Sequence, residues 1–398
     1  MVKGNLLICG GGIIGITIAR EAAHSKKFSE ITVLEKDNKL GTHATTRNSG
    51  VVHSGFYYTP ESNKAKFCIK GNKLLREYCI KNKIRHNRCG KVVVSKNSSE
   101  EKILYELYKR GQINGCEIKF LNKKYLKDYE PLALTYENFI WSPNTWSISP
   151  IELFNCLITE CKELGIKFIK DEKIVSANNK YIITAKKNRF NFDYFINACG
   201  GFALDVAKLF GINTKYKLLP FKGLYLKSTK KMSKFNKHIY PVPDINQPFL
   251  GIHTTKTYDD FLKLGPTAIP VLSPENYNIF KGLDLKMSSD ILLLQINLFA
   301  QNQFGFRDLA FKEIKYFIKE NIIKKANQLT NEDLKNIKFQ WNSPGIRAQL
   351  YNKENKTLEN DFILINENNT YHILNSISPA WTCSLRTARS VLKRIIKE

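Results

Sequence analysis

Three glycines, Gly10, Gly12 and Gly15, with Glu35 about 20 residues further on, are the first residues of this 398-residue chain whose types and spacing could do chemistry. Gly10 permits a tight bend, Gly12 lets the backbone approach a pyrophosphate, and Gly15 lets a helix pack close to a strand. Phosphates would then rest on the free N–H groups of the helix that opens at Ile13 and Ile14, while the Glu35 carboxylate could accept hydrogen bonds from ribose hydroxyls. A second set lies in Gly41-Thr-His-Ala-Thr-Thr-Arg-Asn-Ser-Gly50 and Val51-Val-His-Ser-Gly55. It is too polar to be core and reads as a loop that wraps a polar ligand and enters a helix, with Thr46, Asn48 and Ser49 offering donors and Arg47 a charge. Two later stretches resemble it in character: Asn197-Ala-Cys-Gly-Gly201, and Asn375-Ser-Ile-Ser-Pro-Ala-Trp-Thr382 ahead of a final helix.

These residues need particular elements to hold them. Leu6 to Cys9 is a short apolar run that reads as a buried strand, and Ile31 to Leu34 as a second, so the glycines sit in a βαβ unit. Apolar residues at helical spacing predict helices over 64–82 and 100–114, and Pro150 could open another over 151–164. Strands are expected at 91–95, 167–169, 173–176, 181–184, 194–198 and 372–374, and a β-rich, turn-rich region over 216–267. Residues 286–330 read as helical, with the apolar run Ile291 to Phe299 capping a sheet in preference to touching a membrane. In the last helix Leu385, Ala388, Val391, Leu392, Ile395 and Ile396 share one face.

Composition narrows the class. The chain is 43% hydrophobic, long enough for two or three domains, and has no run approaching the about 20 apolar residues of a membrane span. Met1-Val2-Lys3 leads straight into the first strand, so no signal segment is expected, and a cytoplasmic protein, associated at most with the inner face of the cell membrane, is. The nine cysteines include no Cys-x-x-Cys pair, so neither a disulfide framework nor a metal site is expected. A net charge of +26 could serve nucleic acid, an anionic membrane or an acidic substrate. Its lysines are spread through every segment among abundant Asn and Ile, and clustered Arg and aromatic stretches are lacking, so no nucleic-acid partner is expected.

Read together, the motifs resemble the D-amino-acid-oxidase-like flavoproteins, and within them the L-2-hydroxyglutarate dehydrogenase/oxidase family. The resemblance runs over nearly the whole chain. It is carried by Gly41-Thr-His, Arg47-Asn-Ser-Gly-Val-Val-His-Ser-Gly55, Phe56-Tyr-Tyr58, Cys89-Gly-Lys91, Trp141-Ser-Pro-Asn-Thr145, Tyr240-Pro-Val-Pro-Asp244, Phe249-Leu-Gly-Ile-His253, Gly345-Ile-Arg347 and Ser378-Pro-Ala380. It implies an α/β chain: a Rossmann-like FAD-binding domain (GR2/DAO-type) in segments 1–88, 150–215 and 340–398, and an α+β substrate domain over 89–149 and 216–339 built on a mixed, largely antiparallel sheet.

The resemblance also implies FAD as the cofactor. Gly10, Gly12, Ile13, Ile14 and Gly15 would meet the pyrophosphate, Glu35 and Lys36 the adenosine side, and Ile174 an adenine contact. Thr42, Thr46, Arg47, Asn48, Ser49, Gly50, Ala198, Gly200, Gly345, Arg347, Ser378, Pro379 and Ala380 complete the expected cofactor set. Departures from the family pattern are Ala44, Thr46, Pro220-Phe-Lys-Gly-Leu224 in place of Pro-Phe-Arg-Gly-Glu, and Trp381 where a small residue is common.

A flavin oxidising a 2-hydroxy acid accepts a hydride at N5 while a base takes the hydroxyl proton. His53 and His253 are the candidate bases, because imidazole titrates near neutrality. Arg347 resembles the family's carboxylate clamp, and a guanidinium suits a bidentate grip. A five-carbon dicarboxylate needs a second polar anchor, for which His253, Tyr58, Lys66 and Lys222 are candidates. The reaction implied is oxidation of L-2-hydroxyglutarate to 2-oxoglutarate, with electrons passed to oxygen or a membrane quinone. Alternatives on the same scaffold are an amino-acid oxidase acting on glycine or D-amino acids and a glycerol-3-phosphate dehydrogenase; a more distant one is a flavin-containing nucleic-acid-binding protein.

Overall fold

The computed structural model describes residues 4–244, 249–278 and 282–397. Residues Met1 to Lys3, where no signal segment is expected, lie outside them. The chain divides into two compact units, one made of residues 1–47, 150–220 and 347–398, the other of 48–149 and 221–346.

The first unit is built on a six-stranded sheet in the order Ile363–Glu367, Thr370–Leu374, Tyr194–Asn197, Asn5–Cys9, Glu30–Leu34, Lys167–Ile169. All neighbours pair in parallel except the antiparallel edge strand Ile363–Glu367. Parallel strands covered on both faces read as continuous apolar runs, as Leu6 to Cys9 and Ile31 to Leu34 do. The helix Ile13–Ser25 packs on the final helix Ala380–Lys397 and on Pro150–Glu163. A small antiparallel sheet of Ile174–Ala177, Tyr181–Thr184 and Arg189–Asn191 joins it, with Phe192, Phe195 and Phe210 clustered beneath.

The second unit carries the mixed, largely antiparallel sheet. Leu262–Gly265, His253–Lys256, His238–Pro241, Lys91–Val94, Asn138–Ser142 and Lys119–Asn122 follow one another, and only the His238–Pro241 pairing with Lys91–Val94 is parallel. The long strands Tyr216–Ser228 and Phe339–Asn352 belong to the same sheet. Val92, Val94, Phe139, Leu226, Ile239, Leu262 and Leu264 form its core face, covered by Ile322, Ile323 and Ala326 of the helix Lys319–Asn327.

Residues 48–88 differ from the domain boundary read from sequence: they belong to the second unit. Val51–Val52 pairs with Trp146–Ile148, and Phe56 and Tyr57 pack with Val93, Leu104 and Leu107. Those partners are distant in sequence, so a loop that looked like part of the glycine-turn domain is claimed by long-range packing. Residues 41–48 are also a succession of turns that opens no helix; the next helix is Asn63–Lys81. The 291–299 run does not simply cap a sheet: only Ile291, Leu294 and Leu298 of the helix Leu285–Ala300 are buried, while Leu292, Leu293, Ile296 and Phe299 are exposed.

Candidate active site

In the first unit the glycine turn is shaped by close approach. Gly10 has φ +109°, and a side chain there would place its first carbon 2.4 Å from the Ala198 carbonyl oxygen. At Gly15 the same carbon would lie 2.0 Å from the Gly10 carbonyl oxygen. Neither approach leaves room for a methyl group, so both positions are restricted to glycine. Ala198 is thereby brought against the turn, and its N–H donates to the Cys9 carbonyl at 2.8 Å.

Gly12 caps the helix Ile13–Ser25 without a side chain, and the first turn holds no acidic residue. No acidic side chain of the helix itself therefore opposes the positive end of its dipole, which suits a pyrophosphate. Thr45, absent from the sequence-based set, accepts from the Ile13 N–H through Oγ1 at 2.9 Å. Glu35 is buried at the end of its strand, where Oε2 accepts from the Gly11 N–H at 2.9 Å and Oε1 from the Asp37 N–H at 3.0 Å. Each carboxylate oxygen keeps a further lone pair for a ribose hydroxyl.

The following loop is fixed by its own side chains. Thr42 Oγ1 donates to Asp37 Oδ2 at 2.7 Å, Thr46 Oγ1 to the Gly41 carbonyl at 2.8 Å, and Arg47 Nε to the Thr42 carbonyl at 2.9 Å. Lys36 pairs with Asp37 at 3.0 Å and lies over the Phe202 ring at 4.9 Å. Phe202 closes the short turn from Gly200 at φ +56°, where added bulk would meet open space. Ile174 begins its strand with its side chain in the core beside Leu7, Cys9 and Leu34.

The other return is the start of the final helix, which begins at Ala380 and so places Thr382, buried, within its first turn. Ser378 and Pro379 lead into it, and the Cys383 N–H donates to the Pro379 carbonyl at 3.0 Å. The Trp381 indole N–H is buried and has no hydrogen-bond partner among the described residues. Arg347 is half-buried, its Nε donating to Gln349 Oε1 at 2.9 Å; Gln349 is fully buried. A buried amide thus orients the guanidinium. A dinucleotide fits this unit on these observations: a glycine cradle, a helix N-terminus with no acidic residue in its first turn, a carboxylate at the second strand and an indole donor awaiting an acceptor.

The second unit holds the titratable groups. His53, His238 and His253 are all buried. The His53 carbonyl accepts from Asn72 Nδ2 at 3.0 Å and Cys68 Sγ at 3.2 Å, which pins the residue to the helix Asn63–Lys81. His253 has Nδ1 2.8 Å from the Gly251 carbonyl and its ring stacked on Tyr240, centroids 3.7 Å apart. Because a carbonyl only accepts, Nδ1 carries the proton and the neutral ring's Nε2 presents its lone pair. Burial pushes the pKa of His53 down to about 3, assisted by the charges of Lys91 and His253. Burial likewise takes His253 to about 3, against the Gly251 bond and with Lys91. His238, unremarked in the sequence, is satisfied at both nitrogens: Nδ1 accepts from the Lys256 N–H at 3.1 Å, and Nε2 lies 3.2 Å from Cys89 Sγ.

Asn48, Ser49 and Gly50 fall in this unit. Asn48 Oδ1 accepts from the Gly50 N–H at 2.8 Å, Ser49 Oγ from the Val51 N–H at 3.4 Å, and Lys263 Nζ donates to the Asn48 carbonyl at 3.2 Å. Lys263 was not legible as a site residue; burial, with Lys227 nearby, takes its pKa down to about 8. Lys222 is buried on the strand Tyr216–Ser228, and burial lowers its pKa. Tyr58 is half-buried, with Lys64 Nζ 6.0 Å from its ring centroid. Gly345 lies inside the strand Phe339–Asn352. Lys66 is a correction: it is exposed and pairs with the exposed Glu61 at 2.6 Å, so it is not part of this cluster. The helix turns Lys64, two residues earlier, inward instead.

The fold and these residues define a flavoprotein oxidoreductase, and comparison agrees. The DAO family model, described as FAD dependent oxidoreductase, matches residues 5–394, so the chain belongs to that family and its cofactor is FAD. Within it, L-2-hydroxyglutarate dehydrogenases are close relatives. The mitochondrial one of Dictyostelium discoideum is 32% identical, over 98% of this chain and 91% of that protein. That of Nematostella vectensis is 31% identical, over 97% and 89%, and that of Escherichia coli (strain K12) 28% identical, over 98% and 93%. The chain is a member of the L-2-hydroxyglutarate dehydrogenase family. The fold also matches L-alpha-glycerophosphate oxidase from Mycoplasma pneumoniae with FAD bound, with a TM-score of 0.74 at 20% identity, over 100% of this chain and 95% of that one.

Proposed function

We propose that this chain oxidises L-2-hydroxyglutarate to 2-oxoglutarate. FAD, when bound, would supply the two-electron acceptor for the C2 hydride. Arg347, held by Gln349, grips a substrate carboxylate through paired N–H donors. His53 or His253 takes the hydroxyl proton, and Tyr58, Lys222 or His253 anchors the distal carboxylate. The observation that carries this reading is the imidazole of His253, kept neutral by burial and held in one tautomer by the Gly251 carbonyl, since a base must be uncharged before it accepts. An anaerobic panel of L-2-hydroxyglutarate, its D enantiomer, glycine, D-amino acids and glycerol 3-phosphate tests it. Fastest flavin bleaching by the L hydroxy acid supports the proposal, and faster reduction by an amine or by glycerol 3-phosphate replaces it.

The electrons then pass to oxygen or to a membrane quinone. An acceptor in an anionic bilayer, at the inner face of the cell membrane, is favoured by the helical region of the second unit. Leu285 is 91% exposed, Leu293 65% and Phe311 64%, and the Phe299 and Phe311 rings meet at 5.5 Å, joining the exposed faces of Leu285–Ala300 and Phe306–Ile314. Exposed Lys286, Arg307, Lys312, Lys315 and Lys319 lie on the same segments, together with exposed Asp284, Asp290, Asp308 and Glu320. Exposed apolar side chains flanked by lysines and arginines suit the surface of a membrane. Among the described residues no helix is long and apolar enough to cross a membrane. Flotation with phosphatidylglycerol vesicles checks this: binding should fall in Leu293→Asp/Phe311→Asp, and equal binding by the variant would remove the assignment.

A further inference from the structure

Lys91 opens the strand Lys91–Val94 and is fully buried, yet Nζ has no hydrogen-bond partner among the described residues. Among the described residues no carboxylate pairs with it, and three aromatic faces surround it instead. Nζ lies 4.5 Å from the Phe56 ring centroid, 4.4 Å from that of Tyr57 and 4.7 Å from that of Tyr240. Such rings attract an ammonium through their quadrupoles, and desolvation strengthens that attraction. They replace only part of the hydration a buried cation loses.

The groups that act on Lys91 come from several elements. Tyr57 belongs to the loop before the helix Asn63–Lys81, and Cys68 to that helix, its Sγ donating to the His53 carbonyl. Cys116 follows the helix Ser98–Ile113, its Sγ donating to the Ser54 carbonyl. Tyr240 and His238 share the neighbouring strand, paired residue by residue with Lys91–Val94, and His253 stacks on Tyr240. The charge of Lys91 disfavours protonation of His53, His238 and His253. The cluster therefore contains three imidazoles and one amine competing for positive charge, and among the described residues no carboxylate pairs with the amine; Lys256, whose charge also acts on His238, is instead paired with Asp260 at 3.1 Å. Two like charges at such separations in a dry interior repel strongly.

We propose that Lys91 is a positioning residue that takes the one positive charge this buried cluster carries, and so keeps His53 and His253 neutral and able to accept a proton. The proposal rests on the reading of these imidazoles as the candidate bases. Burial takes the Lys91 ammonium down to about 7, so it is charged below neutrality, where free imidazoles would themselves begin to protonate. The aromatic cage makes an amine the preferred site for that charge, because a compact ammonium fits between three ring faces.

The test is the order of protonation in the FAD-loaded enzyme, followed by NMR with 15N-labelled histidine and lysine and assigned by single substitutions. As pH falls, Lys91 should protonate before His53 and His253; either imidazole protonating first overturns the proposal. This measurement needs no substrate, so it stands whether or not L-2-hydroxyglutarate reduces the flavin. In Lys91→Met, His53 and His253 should titrate at higher pH. The acid limb of single-turnover flavin reduction should move up with them, giving about a 3–10-fold loss on that limb for a shift of 0.5–1 pH unit. Lys91→Arg should restore the limb. A limb unmoved in a folded, FAD-loaded Lys91→Met enzyme would equally overturn the proposal. If Lys91→Met does not fold, the wild-type protonation order decides.

Discussion

The two units bind by different means. In the first, backbone does most of the holding: a glycine turn, a helix N-terminus and strand ends, with Glu35 and Thr45 tying the turn's own N–H groups. In the second, side chains dominate: His53, His253, Lys222 and Lys91 are buried on or beside strands whose partners lie far away in the chain. The difference matters for how each can fail. A backbone cradle is broken by one added carbon, whereas a side-chain cluster is detuned by a change of charge.

The largest effect should come from Gly15→Val. Its Cβ would lie 2.0 Å from the Gly10 carbonyl oxygen, so the turn must move and the purified protein should retain less than about a tenth of its FAD. Full flavin content would show that the first unit is not the rigid cradle described. Next come the bases. His53→Ala and His253→Ala should leave FAD bound, and the one that removes the base should slow flavin reduction by about 10²–10⁴-fold. If both variants reduce at the wild-type rate, the second unit does not supply the base.

Arg347→Met should raise the substrate KM by about 10–100-fold, the range for losing a charged hydrogen-bonding partner, and Gln349→Leu by less, because it only orients the guanidinium. Equal effects would mean that Gln349 touches substrate itself.

The pH dependence of stability sharpens the same contrast. His53 and His253 have folded pKa values of about 3, below the unfolded value near 6.5. Below about pH 6.5 the unfolded chain takes up protons that the folded chain refuses, so stability is lost as pH falls from there towards 3, by about 1.4 kcal/mol per pH unit for each group. Thermal melts across this range should show the decline, and His53→Gln should reduce its slope. The smallest effect belongs to Lys66→Ala: its ion pair with Glu61 is exposed, and flavin reduction should stay within about twofold of wild type.

The same division explains what could be read from the sequence. Gly10, Gly12, Gly15 and Glu35 were legible because a backbone cradle needs glycine at fixed spacing beside a strand, all within one local stretch. The strand at 91–95 and the β-rich region over 216–267 were visible in outline from turn residues and apolar runs, whereas the mixed sheet was what the family resemblance implied. Residues 48–88 were assigned to the wrong neighbour because the pairing of Val51–Val52 with Trp146–Ile148 spans nearly a hundred residues. The sequence names Lys66 and not Lys64, because a helix's inward face cannot be fixed to two residues by pattern alone. Thr45, Lys91, His238 and Lys263 carry no local signature; only burial and ring contacts reveal them, although Lys91 stood in the Cys89-Gly-Lys91 motif. The exposed apolar face over 285–318 was also hidden, since an apolar run does not show which residues meet solvent.

The most direct test of the central claim is an anaerobic single-turnover reduction of the FAD-loaded enzyme by L-2-hydroxyglutarate carrying hydrogen or deuterium at C2. The account predicts complete bleaching of the flavin, release of 2-oxoglutarate and a slower reaction with deuterium, because the C2 hydride is transferred. A flavin that stays oxidised in saturating L-2-hydroxyglutarate, while an amino acid or glycerol 3-phosphate bleaches it, would contradict the account.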